Sequence, residues 1–273
     1  MITRFAPTPS GYLHLGNAVN AQLAAWLAHE HGGELHLRID DMDAPRARVE
    51  YVRDIFDVMT WLGIGWTGPT DPADFVEHHS QGLRTEYFRG QLQRAGESGL
   101  EVYACSCSRS QVRGPATGGC PGGCRDAGLP LEVGTTALRV RVPIGTQIPV
   151  SGELVSLADV MGDFVVWRRD DLPAYQLVSV IADRDARVTH VVRGRDLLHS
   201  TAAQLFLAPF MGAENVLGAD YRHHELIRGD DSGKLSKSQT SMGQPLPRTR
   251  EVRAQVLRDA ARLGEAVGIT PPA

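Results

Sequence analysis

Lys234 and Lys237 are the only lysines in this 273-residue chain, three positions apart in Lys234-Leu235-Ser236-Lys237-Ser238; every other basic residue is arginine. Lysine carries a compact ammonium on a flexible stem, whereas arginine presents a rigid planar fork. A mobile point charge suits a phosphate that shifts during a reaction, so the pair reads as a nucleotide-phosphate clamp. A solvated surface turn beside Gly233 fits the same five residues. A second candidate is the run Pro7-Thr8-Pro9-Ser10-Gly11-Tyr12-Leu13-His14-Leu15-Gly16-Asn17. Gly11 and Gly16 permit close backbone approach of a nucleotide, and a helix opening near Gly16 points its free N–H groups at an anion. His14 adds a donor for a phosphate or ribose oxygen, or else satisfies a buried turn. The third is Cys105-x-Cys107 followed, after twelve residues, by Cys120-x-x-x-Cys124. Two close cysteine pairs can supply four thiolates to one structural Zn²⁺, with Gly118, Gly119, Gly122 and Gly123 letting the backbone wrap tightly. Four unligated thiols in a loop is the other reading.

Bulk properties narrow the setting. Hydrophobic content of 42% and charged content of 22% are those of an ordinary globular protein. No apolar run reaches the roughly 18 residues of a membrane span, and no secretory signal is evident, which predicts a soluble cytoplasmic protein. The formal net charge of −4 gives no general attraction to nucleic acid, so a polyanion would need a local basic face. Arg184, Arg187, Arg193 and Arg195 form one candidate group, and Arg109, Arg113 and Arg125 another; a solvated face fits each equally. His78-His79 and His223-His224 read as surface or local packing residues. Arg248, Arg250 and Arg253 open the last helix and read as solvated, with contact to RNA phosphates the other reading.

The elements that position these residues follow from periodicity. Residues 3–6 read as a strand, 17–31 as a helix with Val19, Leu23, Trp26 and Leu27 on one stripe, and 34–39 as a second strand. Pro45 is expected to open a helix running to about 62. Strand, helix, strand, helix is the order of a parallel sheet with crossover helices. A helix is expected at 80–98, a strand at 137–142, strand and helix patterns at 164–168, 174–183 and 188–193, and helices at 198–211 and 251–267. The predicted fold is α/β, a Rossmann-like doubly wound parallel sheet with an inserted zinc-binding, acceptor-type subdomain. The expected boundaries are 1–104 and 153–245 for the catalytic halves, 105–152 for the cysteine-rich insertion, and 246–273 for a terminal helix and tail.

Gly-Tyr-Leu-His-Leu-Gly-Asn near the start and Lys-Leu-Ser-Lys-Ser near the end resemble the two signature motifs of class I aminoacyl-tRNA synthetases. Arg4-Phe5-Ala6-Pro7-Thr8-Pro9-Ser10-Gly11, Leu37-Arg38-Ile39-Asp40-Asp41-Met42-Asp43 and Val192-Arg193-Gly194-Arg195-Asp196-Leu197-Leu198 resemble the glutamyl branch. The likeness covers about residues 3 to 245. Only 35 residues follow Ser238, which predicts no anticodon-binding domain after the lysine loop. In that respect the chain is similar to the short glutamyl-queuosine tRNA(Asp) synthetases. That subfamily activates glutamate with ATP, without tRNA, and attaches it to the queuosine base in the anticodon loop of tRNA(Asp).

The resemblance implies a division of roles. His14, Lys234 and Lys237 would stabilise charge on the reacting phosphate, and Mg²⁺ would accompany ATP. Pro7, Gly11, His14, Gly16, Asn17 and Lys234 through Ser238 would surround the nucleotide. Arg4, Phe5, Ala6, Pro7, Thr8, Asp40, Tyr175 and Arg193 would surround glutamate. An arginine can pair a carboxylate bidentately, Asp40 can hold the ammonium, and Tyr175 can donate a hydrogen bond. Structural ion pairs, a helix cap and core packing are the plain alternatives for these side chains. Two departures from the family stand out: Asp40 replaces a usual glutamate, and Cys120 replaces a frequent tyrosine. The expected partners are ATP, glutamate and tRNA(Asp) carrying queuosine, acting on a monomer. Another nucleotidyl transferase, or a catalytically silent RNA-binding module, shares some of these motifs.

Overall fold

The computed structural model describes residues 1–42, 47–108, 111–112, 120, 123–227 and 243–272. In chain order the main elements are β1 (Ile2–Phe5), α1 (Leu15–Glu30), β2 (Glu34–Leu37), α2 (Val49–Leu62), α3 (Thr85–Glu97), β3 (Val102–Cys105), β4 (Ala137–Val140), β5 (Gln147–Val150), β6 (Glu153–Ser156), β7 (Val165–Trp167), α4 (Tyr175–Asp185), β8 (His190–Gly194), α5 (Leu198–Leu207), β9 (Asp220–His224) and α6 (Arg250–Ala266). They form two compact units: residues 1–83, 188–196 and 220–273, and residues 84–187 with 197–219. No described helix is long and apolar enough to cross a membrane.

The first unit holds parallel strand pairs. β1 pairs with β2 from Ile2↔Glu34 to Phe5↔Leu37, and β8 pairs with β9 from His190↔Asp220 to Gly194↔His224. The Thr189 N–H donates to Ile2 O at 2.9 Å and ties the two pairs together. Parallel strands need crossover connections, and α1 provides the first. Its Val19, Leu23 and Leu27, on the stripe read from the sequence, are buried with Ile55 and Met59 of α2 and Val256, Ala260 and Leu263 of α6. At Gly264 a Cβ would lie 2.5 Å from Ile269 O, so glycine lets the chain after α6 fold back over the helix end, where Leu23 Cδ2 of α1 packs 3.2 Å from the same point. Thr249 caps α6 by accepting the Val252 N–H at 3.3 Å.

One helix starts later than its sequence suggests. α2 begins at Val49 with the extended residue Arg48 before it; Pro45, the expected opener, lies outside the described residues.

The second unit departs from the expected boundaries. β3, β4 and β7 form one antiparallel sheet, in the order β3-β4-β7. The insertion therefore does not stand apart as residues 105–152: β4 from inside it completes a sheet with strands on either side. β7, expected in the second half of a parallel sheet, is an antiparallel edge. β5 and β6 make a separate hairpin. Buried Asp163 organises the sheet, accepting from the Tyr103 hydroxyl at 2.8 Å and the Val142 N–H at 2.9 Å.

Candidate active site

The loops after β1 and β2 are joined backbone to backbone. The Arg38 N–H donates to Phe5 O at 3.0 Å, and the Asp40 N–H to Pro7 O at 2.9 Å. Ligands of open α/β sheets collect at these carboxyl ends of strands. Arg4 on β1 and Arg193 on β8 each stand one residue before the end of the strand, and are 4% and 3% exposed. Arg193 also lies over the Tyr221 ring, 5.6 Å from its centroid. Phe5 is buried in the core, so its side chain packs rather than facing a ligand. Ala6, Pro7 and Thr8 continue the chain directly from β1.

His14 occupies the N-cap of α1 in extended conformation, and its carbonyl accepts the Asn17 and Ala18 N–H groups at 3.0 and 3.1 Å. Asn17 returns the bond, its Oδ1 accepting the His14 N–H at 3.2 Å. The helix start therefore carries His14 itself. The ring reaches solvent, yet partial desolvation lowers its pKa below the usual histidine range. A neutral imidazole can donate one hydrogen bond to a phosphate oxygen. Gly16 sits beneath that ring: a Cβ there would lie 3.0 Å from His14 Cε1 and 3.1 Å from Nδ1. Gly16→Ala should therefore displace the imidazole while leaving a better helix former in α1, worth about 0.5–1 kcal/mol. The expected result is an unchanged or raised unfolding temperature together with a clear loss of ATP–pyrophosphate exchange.

Asp40 is 7% exposed and already engaged. It accepts from Arg38 Nε at 2.8 Å, Arg38 Nη2 at 3.4 Å and Gln81 Nε2 at 2.7 Å. The shorter side chain thus turns toward neighbouring arginine and amide donors. Neither Arg38 nor Gln81 was singled out from the sequence, where only the i, i+2 spacing of Arg38 and Asp40 on a strand end hinted at their pairing. Asp41 is held by Ser80 Oγ at 2.5 Å and the Gln81 N–H at 2.8 Å.

Of the two readings of His223-His224, local packing is the one His224 follows. His224 is buried and bonds Asn20 Oδ1 at 3.1 Å. For His223, burial and the cations of Arg193, Arg195 and Arg4, with His224, bring the pKa down to about 3. The ring is therefore neutral beside a strongly positive strand end. In the folded state it resists protonation that the unfolded chain accepts near pH 6.5. Its contribution is full above pH 6.5 and is lost as pH falls toward 3. His223→Asn should flatten that part of a stability-versus-pH curve measured by urea unfolding.

In the second unit the four cysteine sulfurs all lie within 4.8 Å of one another. Cys107 Sγ is 3.8 Å from Cys124 Sγ and 3.0 Å from Cys120 Sγ. A tetrahedral centre with Zn–S bonds of about 2.3 Å places its sulfurs about 3.8 Å apart, so the donor set and the Cys107–Cys124 spacing fit zinc, while Cys120 stands closer to Cys107 than such a centre holds its sulfurs. Cys105 ends β3, and Cys124 opens a short 3₁₀ turn. Burial raises the Cys124 thiol, but hydrogen bonds from the Ser106 backbone and hydroxyl and from Cys120 and Cys107 outweigh it, leaving a pKa of about 6. Burial pushes the Cys105 thiol up. Arg169 donates to the carbonyl oxygens of Ser106 and Cys107, the latter at 2.6 Å, and so braces the loop from behind.

Tyr175 opens α4 of this second unit and is 39% exposed. Arg184 is not a free phosphate contact: it donates to Gln91, Met211 O, Tyr87 and Asp185. Lys234, Leu235, Ser236, Lys237 and Ser238 lie outside the described residues, as do Arg109, Arg113, Gly118, Gly119 and Gly122.

The chain matches the family described as tRNA synthetases class I (E and Q), catalytic domain, over residues 1–95 and 132–265. The chain belongs to this family. As a class I tRNA synthetase it is a ligase-type enzyme, and the stretch skipped by the match is the one containing the four cysteines. It is 39% identical over 274 residues to the Glutamyl-Q tRNA(Asp) synthetase of Pseudomonas aeruginosa, covering 97% of this chain and 88% of that one. It is 40% identical to the protein of that name from Pseudomonas syringae pv. tomato, covering 97% and 85%. Among solved structures it is similar to the glutamate-tRNA synthetase of Elizabethkingia anophelis, with a TM-score of 0.71 and 24% identity over 88% of this chain. The chain spans 53% of that longer protein, about half its length. This likeness shows the class I synthetase fold.

Proposed function

We propose that the chain activates glutamate with ATP as glutamyl-adenylate, without tRNA, and then transfers the glutamyl group to the queuosine base in the anticodon loop of tRNA(Asp). The observation that carries the first step is the pair of buried arginines at the carboxyl ends of β1 and β8, in the unit whose α1 begins at His14. Buried guanidinium groups suit a small substrate with carboxylates of its own. A glutamate α-carboxylate oxygen attacks the α-phosphorus of ATP, and the bond to pyrophosphate breaks. The nucleophile is already ionised, so the protein aligns the reactants and stabilises charge on the phosphate oxygens. His14 donates to that phosphate, with Lys234 and Lys237 as the cations and Mg²⁺ travelling with ATP. Arg4 and Arg193 take the glutamate carboxylates. With Asp40 held by Arg38 and Gln81, the ammonium relies less on that carboxylate than the resemblance implies.

The second step is supported by the names of the relatives. Zinc on Cys105, Cys107, Cys120 and Cys124 supplies a structural cross-link between β3 and the turn at Cys124. The purified protein is expected to exchange pyrophosphate into ATP with glutamate and no tRNA, and to charge tRNA(Asp) only when queuosine is present. No exchange with any amino acid would end this reading. Exchange without transfer would leave an adenylating enzyme with a different acceptor.

A further inference from the structure

Asp54 lies in the second turn of α2 and is 2% exposed, an unusual place for a carboxylate. Its two oxygens serve different parts of the chain. Oδ2 accepts the Leu13 N–H at 2.8 Å, one residue before His14. Oδ1 accepts from Arg248 Nη2 at 2.6 Å, just before the Thr249 cap of α6 and ten residues after Ser238. Arg248 also reaches Asp57, one turn along α2, at 3.3 Å. We propose that Asp54 is a positioning residue: one carboxylate fixes the backbone that presents His14 and, through Arg248, the backbone just before the Thr249 cap of α6. This rests on the adenylation reading above.

The two ends have other anchors on the same helix. Tyr12 meets Tyr51 edge-on with centroids 5.0 Å apart, and Arg253 donates to Leu62 O at 3.0 Å. The fold therefore does not depend on Asp54 alone, whereas the alignment of Leu13 with Arg248 does. A buried carboxylate is tolerated only with full pairing: removing Arg248 leaves Asp54 short of a donor, and removing Asp54 leaves the Leu13 N–H without its side-chain acceptor. Arg248 is thus not the solvated cation that its place in the sequence suggests.

The test uses D54N, R248M and R248K in the full chain. Asparagine keeps the shape but offers one acceptor oxygen, so it can serve Leu13 or Arg248 and not both. D54N and R248M are each expected to lower kcat for pyrophosphate exchange about tenfold or more, as small misplacements of reacting groups do. The KM for glutamate should stay unchanged. R248K should recover part of the loss, and D54N/R248M should cost no more than the worse single variant. Endoproteinase Lys-C supplies a readout independent of chemistry, because Lys234 and Lys237 are the only lysines. Cleavage there should speed up in D54N and R248M relative to the unaltered chain. Unchanged exchange and cleavage, or losses that add in the double variant, would overturn the proposal. If the unaltered chain shows no exchange, the adenylation reading fails and the cleavage rates alone decide the role of Asp54.

Discussion

Arg193→Met is expected to raise the KM for glutamate at least roughly thirtyfold while leaving the KM for ATP close to its original value. Arg193 is buried and on a strand rather than a loop, so no neighbouring chain can swing in to replace its fork. Truncating one partner of a buried, hydrogen-bonded charge pair costs about 2–5 kcal/mol. At about 1.4 kcal/mol per factor of ten, this spans from roughly thirtyfold to several thousandfold. Methionine keeps much of the packing volume against Tyr221, which limits collateral damage. Arg193→Lys should recover little, since an ammonium cannot form the two-pronged contact. Steady-state exchange kinetics with each substrate varied in turn, beside a thermal melt of each variant, would check this. Equal losses in both KM values would place Arg193 outside the amino-acid subsite.

Loss of the four-thiolate centre should have the largest effect on stability. Protein purified without chelator is expected to hold about one zinc per chain, and Cys107→Ser or Cys124→Ser to hold much less. Free metal at a thousand times its Kd adds about 4.1 kcal/mol. For a unit of this size, each kcal/mol moves Tm by about 2–4 °C, so chelation should lower the unfolding temperature by roughly 8–16 °C. The loss should be steeper below about pH 6, where protons compete for thiolates. Metal analysis and calorimetry with and without chelator would show it. A chain with no zinc and an unaltered melt would leave the sulfurs as ordinary packing thiols.

Local signals were readable where one element dictates its own form. The stripe of Val19, Leu23 and Leu27 placed α1, and Arg4 and Arg193 lie near the strand ends expected from the residue pattern. Signals that depend on distant partners were not readable. β3, β4 and β7 are short and far apart in sequence, and nothing in any one of them shows that they pair antiparallel. The Asp40 environment was missed because Gln81 is forty-one residues away. Asp54 looked like one more polar residue on an amphipathic helix, since its partners lie 41 and 194 positions distant. Arg184 and Arg248 looked available for phosphate because pairing with carbonyls and carboxylates leaves no sequence pattern.

The close seat of α6 against α1 at Gly264 has a consequence for biogenesis. α1 is synthesised well before α6, the helix that shields one of its flanks. Until residues 188–273 are synthesised, the nascent chain lacks α6 and β8, so the part of the α1 flank they cover is left open. Sequence-distant contacts of this kind slow folding and leave sticky intermediates. Production of this protein should therefore respond strongly to chaperone supply and to slower translation, and shortening it from its C-terminal end should yield aggregates rather than a smaller working domain.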